Sequence, residues 1–113
     1  MKKLLLFAAF SITIALFTQC RSTKAVTAQK KLTYAADIQP IMAEKCTPCH
    51  FPDKGGRIEA LNSYASVKSH IDDIIRRIEL NPGEKGYMPM KKPKLSDSTI
   101  NVFKQWKADG LAE

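Results

Sequence analysis

Two cysteines and a histidine carry most of the chemistry in this chain, in the run Cys46-Thr47-Pro48-Cys49-His50. Residues i, i+3 and i+4 of a helical turn share one face. Two thiols at that spacing can reach the two vinyl groups along one side of a porphyrin. The histidine then directs its ring at the iron from the same side. C-x-x-C-H is the attachment pattern of a covalently bound haem. Two other chemistries compete for the same residues. A redox dithiol belongs at a strand–helix junction, and no strand pattern is present. A zinc site needs four ligands. Here they would have to be Cys46, Cys49, His50 and His70, and the adjacent pair Cys49 and His50 would be strained on one ion.

Haem iron held by His50 takes a second axial donor on its other face if it is to carry electrons. The candidates after the motif are Met88, Met90 and His70. Met88 and Met90 flank Pro89 in a stretch rich in Gly, Pro and Lys. Proline drives the residue before it towards extended backbone, which stiffens Met88, and Gly86 leaves room for a close approach. Met90 is reached by a small register shift. His70, beside Lys68 and Ser69, reads as a partly exposed surface histidine. Arg76 or Arg77 can pair with a haem propionate, because a guanidinium grips a carboxylate bidentately. Tyr64, Tyr87 and Trp106 read as pocket and core aromatics.

Three helices must position these groups. Asp37 reads as the N-cap of the first, which runs to about Cys46 with Pro40 in its first turn, where a missing N–H costs little. Ile38, Ile41 and Met42 form its apolar stripe. The second covers roughly Tyr64 to Leu80. Ile71, Ile74, Ile75 and Ile78 recur at helical spacing, and Asn81-Pro82-Gly83 stops it. The third opens at Ser96 and ends near Gly110, with Ile100, Phe103, Trp106 and Lys107 on one face. The intervening stretches, Phe51 to Ser63 and Asn81 to Leu95, are long for structureless loops in a compact domain. A haem that they wrap accounts for them. The expectation is an all-α domain, and one of roughly 80 residues needs such a staple for its modest core.

The start of the chain serves a different purpose. Lys2 and Lys3 precede an apolar run from Leu4 to Phe17. As a helix this run reaches about 21 Å, short of the roughly 30 Å hydrocarbon core, so it reads as an export signal. Cys20 follows in Leu16-Phe17-Thr18-Gln19-Cys20, which resembles a bacterial lipoprotein signal, although Gln19 stands where a small residue is usual. The expected division is a signal peptide at 1–19, a lipid-anchor cysteine and flexible tether at 20–33, and the folded domain at 34–113. Removing residues 1–19 takes Lys2 and Lys3 and no acid, lowering the formal charge from +7 to +5. That excess can steer a docking protein. The basic residues are scattered without interleaved aromatics, so nucleic acid is not an expected partner.

From about Tyr34 to Leu111 the chain resembles a short bacterial class I cytochrome c with one haem. The resemblance rests on Asp37-Ile38-Gln39-Pro40-Ile41, on Cys46-Thr47-Pro48-Cys49-His50, on Met88-Pro89, and on Leu95-Ser96-Asp97 opening a last helix that contains Trp106. Thr99 departs from it, standing where an acidic residue often completes the helix cap. The resemblance implies a small cytochrome c fold in which the first and last helices cross beside one covalent haem c. It implies haem bound by Cys46, Cys49, His50 and Met88, with His50 and Met88 as the iron ligands. The function it implies is one-electron transfer between redox partner proteins on the periplasmic side of a membrane, without catalysis. The alternative is a haem enzyme or gas sensor with an open or labile sixth position. Replacing Cys20 by Ser should move the protein from the membrane fraction to the soluble periplasm. Persistence in the membrane would mean that residues 1–19 remain as an uncleaved anchor, and a soluble parent protein would mean ordinary signal cleavage.

Overall fold

Apolar residues at helical spacing dictate the architecture of the computed structural model, which describes residues 30–113. The expectations for the export signal, for Cys20 and for residues 21–29 lie outside the described residues. The domain is all-α. A single turn of π-helix, Tyr34–Ile38, leads directly into α1, Gln39–Lys45. A 3-10 turn, Pro52–Lys54, interrupts the first long loop. Then follow α2, Tyr64–Ser69, α3, Ile71–Glu79, and α4, Asp97–Ala108. Among the described residues the only β pairing is an isolated parallel bridge between Thr33 and Ala112. No helix there is long and apolar enough to cross a membrane.

The chain enters the first helix earlier than Asp37. Thr33 is the cap, accepting a hydrogen bond from the Ala36 N–H through its hydroxyl. Asp37 reaches back instead, and its carboxylate accepts from the Thr33 N–H at 2.8 Å. A short acidic side chain near a helix start can satisfy either orphan amide, which is why its type alone misplaced the boundary.

The second predicted helix is two helices. His70 sits between α2 and α3 with φ −106° and ψ 9°. The Ser69 hydroxyl and His70 Nδ1 both lie on the Ser66 carbonyl oxygen, at 2.9 and 2.8 Å. Local side-chain donors of this kind compete with the helical ladder, and here they end α2. The Ile74 N–H restarts the ladder by donating to the His70 carbonyl. On α3, Ile71, Ile74 and Ile78 are buried and Ile75 partly so. Asp72 and Asp73 in its first turn and Arg76 and Arg77 in its last complement the helix dipole.

Ser96 caps α4 as its sequence implies, accepting from the Thr99 N–H at 3.2 Å. The Thr99 hydroxyl lies 2.9 Å from the Ser96 hydroxyl. The helix packs against α3 and against the N-terminal π turn. Ile38 and Met42 share one core cluster with Ile100, Phe103 and Trp106. Exposed Lys107 pairs with Asp72, and Lys104 with Glu79, across the outside of the α3–α4 contact.

Tyr34, Tyr64 and Trp106 form a triad with ring centroids 5.7 to 6.4 Å apart. The end of the chain straps over it. Ala112 O accepts from Trp106 Nε1 at 2.7 Å and from the Tyr34 N–H at 2.9 Å, and Leu111 O accepts from the Tyr64 hydroxyl at 2.8 Å. Trp106 is 0% exposed. Trp106→Ala should therefore cost about 3–5 kcal/mol, since it empties a core site and removes one of the two donors to the Ala112 carbonyl. The check is the midpoint of urea unfolding followed by far-UV circular dichroism, which should fall sharply at unchanged slope.

Candidate functional site

The segment Cys46 to His50 follows the end of α1 as a hydrogen-bonded turn. Cys46 caps that helix with its N–H on the Met42 carbonyl, and the His50 N–H donates to the Cys46 carbonyl at 3.2 Å. That i to i+4 bond closes Cys46 to His50 as a single turn beyond the end of α1, with a cis peptide at Thr47-Pro48, and the motif is not the helical end that the spacing suggested. Cys46 is half-buried and Cys49 exposed, both as free thiols. Cys46 Sγ lies 3.7 Å from Met42 Sδ. Burial pushes the Cys46 thiol up to about 11, with Lys92 pulling weakly the other way.

Beyond His50 the chain folds back on itself. The Leu61 N–H donates to the His50 carbonyl at 3.0 Å, and His50 Nδ1 lies 2.6 Å from the Glu59 carbonyl oxygen. A carbonyl can only accept, so Nδ1 carries the proton and Nε2 holds the free lone pair. Gly56 closes the return loop against the motif. A Cβ there would fall 2.9 Å from the Cys49 carbonyl carbon and closer still to the Pro48 and Cys49 oxygens. Only glycine fits that approach.

A cavity of about 320 Å³ opens beside this turn. Cys46, Cys49 and His50 line it from the motif, together with Met88, Pro89 and Met90 from the second long loop. Its apolar lining comes largely from Met42, Ile58, Leu61, Ile74, Ile78 and Leu95. The structure thus brings all four sequence-predicted site residues to one cavity. Met88 is half-buried beside buried Pro89, whereas Met90 is 61% exposed.

His70 is partly exposed, as its sequence reading has it, with 42% of its side chain accessible, and from the break between α2 and α3 it also lines the cavity. Its Nδ1 donates to the Ser66 carbonyl, and Nε2 stands 3.8 Å from a Glu59 carboxylate oxygen. Tyr64, Tyr87 and Trp106 do not line the cavity; they belong to the buried core and its margin. Arg77 lines it and Arg76 does not. Both arginines pair with Asp73. Hydrogen bonds from Arg77 first and Arg76 second hold the Asp73 carboxyl below its ordinary value. Its stabilising contribution is therefore complete above the normal carboxylate range and is lost as pH falls through the lowered native value.

Several positioning groups carried no sequence signal. Lys92 Nζ donates to the Lys45 and Thr47 carbonyls at 3.3 and 2.9 Å, fastening the methionine loop to the motif turn. The Tyr87 hydroxyl donates to the Lys92 carbonyl at 2.9 Å and closes the loop on itself. The Glu59 acceptor is a backbone atom, which residue type cannot announce. Among the described residues, no three His, Cys, Asp or Glu side chains converge as a metal-binding group. The chain matches no protein family, no curated protein and no solved structure.

The two thiols should differ in reactivity before any ligand is attached. At pH 8 a thiol titrating at about 11 is ionised in only about one molecule in a thousand, against roughly a quarter for a free cysteine. Iodoacetamide should therefore modify Cys49 first and Cys46 at least about tenfold more slowly, with the Cys46 rate rising as pH approaches 11. Timed alkylation read by peptide mass spectrometry checks this, and equal rates would contradict the burial of Cys46.

Proposed function

We propose that this chain is an exported single-haem class I c-type cytochrome that carries electrons between partner proteins. The observation that carries the reading is the convergence of Cys46, Cys49, His50 and Met88 on one largely apolar cavity. The donor set suits haem c. Cys46 and Cys49 would form the two thioether links, and His50 Nε2 and Met88 Sδ would be the axial ligands. Bound there, the iron supplies one-electron redox chemistry.

The chain's own residues do the rest. The Glu59 carbonyl accepts a hydrogen bond from His50 Nδ1–H, fixing the tautomer and the ring angle and making Nε2 a better donor. Apolar side chains from α3 and from Leu61 and Leu95 line the cavity and would keep water from a bound haem, which would disfavour the more charged form of the iron. The second long loop, fastened by Lys92 and Tyr87, holds Met88 at the cavity. The basic excess of the chain steers acidic partner surfaces to it. Anchoring at Cys20 would keep the carrier at the membrane face where such partners work.

A redox dithiol finds little support. An activated thiolate needs a depressed pKa, commonly at a helix N-terminus. Cys46 lies at a helix C-terminus, buried, with its thiol raised.

Protein matured in a bacterial periplasm should hold haem that survives denaturing electrophoresis. Oxidised and reduced spectra without c-type bands would overturn the reading. Met88→Ala should abolish the weak far-red iron–sulfur band, lower the potential and open the iron to carbon monoxide. Met90→Ala should leave all three near the parent. The reverse pattern would make Met90 the ligand, and indifference of both would point to His70. Carbon monoxide binding by the unmutated protein would favour an open-site enzyme or sensor.

A further inference from the structure

We infer that Arg77 is a positioning residue for Met88, setting how firmly its sulfur is held at the iron. The inference rests on the axial role proposed for Met88. It begins with the end of α3. The last carbonyls of a helix have no intrahelical donor and must find one elsewhere. The Arg77 carbonyl finds it in the Met88 N–H, at 3.2 Å. The Arg77 side chain grips the same loop two residues earlier, where Nη1 donates to the Gly86 carbonyl at 3.3 Å. One residue therefore holds the loop at both Gly86 and Met88.

Its guanidinium is itself held in place. Nε donates to an Asp73 carboxylate oxygen at 2.6 Å, a charge-assisted bond within the helix. Gly86 has φ +94°, and a Cβ there would come within 3.5 Å of Nη1. The loop is thus shaped to lie against this side chain. Arg76 shares Asp73 and brings Nη1 within 3.9 Å of the same Gly86 Cβ position, but its hydrogen bonds go to Asp73 and not to the loop, and it does not line the cavity. It supplies the matched control.

The test uses the haem-loaded protein and compares Arg77→Gln, Arg77→Lys and Arg76→Gln. The readouts are the thermal loss of the iron–sulfur band and the affinity of the reduced iron for carbon monoxide. Losing one charge-assisted bond from the loop shifts its open-to-closed equilibrium by about tenfold. Arg77→Gln should therefore bind carbon monoxide about tenfold more tightly and lose the band at lower temperature. Arg77→Lys should fall between Arg77→Gln and the parent, because one ammonium cannot reproduce the fork to both Asp73 and Gly86. Arg76→Gln should match the parent. Equal shifts in Arg76→Gln and Arg77→Gln would reduce the effect to surface charge and overturn the inference. So would a parent-like Arg77→Gln. If Arg77→Gln does not accumulate, a parent-like Arg77→Lys is decisive against it. A parent protein that lacks the band or already binds carbon monoxide overturns the Met88 assignment itself, a result distinct from any failure among the Arg77 variants.

Discussion

The hydrogen bond from His50 Nδ1 to the Glu59 carbonyl, at 2.6 Å, is the constraint on which the site depends. It does two things at once. It fixes which nitrogen of the ring can act as a donor to a metal, and it returns the chain to the motif after an excursion through Phe51 to Ala60. The return brings Leu61 into the core and seats Gly56 against the Cys49 carbonyl. The Leu61 N–H on the His50 carbonyl holds the same return, and Ile58, Glu59 and Leu61 line the cavity from it.

The second long loop is held by the opposite device, donors reaching for the carbonyl ends of helices. Lys92 serves the end of α1 and the motif turn, Lys94 donates to Glu79 at the end of α3, and the Met88 N–H donates to Arg77. Cations are favoured at helix C-termini by the dipole as well as by the unpaired oxygens. Part of the basic excess of the sequence is thus structural. Lys92 and Lys94 act as fasteners of the loop that carries Met88.

The sequence made the helical content legible wherever one face had to be buried. The isoleucines of α3 and the Ser96 cap of α4 were readable because period and cap chemistry are local. Cys46, Cys49 and His50 do meet at one cavity, but a turn beyond the helix end brings them there and not the helical period that their spacing suggested. The break at His70 was not, since Ser69 and His70 could equally have faced solvent on an unbroken helix. That the partly exposed His70 also lines the cavity was missed with it. Thr33 and Asp37 exchanged roles at the first cap because both can bond an orphan amide. The Glu59 carbonyl and the tight seat of Gly56 were invisible, because a backbone acceptor has no residue type and a glycine in a loop announces freedom and close packing alike.

The strap formed by Leu111 and Ala112 gives the domain a mechanical polarity. Tension applied to the chain ahead of Thr33 would be met first by the Leu32 N–H on the Asp109 carboxylate, then by the bonds of Tyr34 and Trp106 to Ala112. The bridge between Thr33 and Ala112 is a single parallel pairing. None of these strap residues lines the cavity. A load on the chain ahead of Thr33 would thus bear on the strap and the aromatic triad and not directly on the walls around Cys46, His50 and Met88.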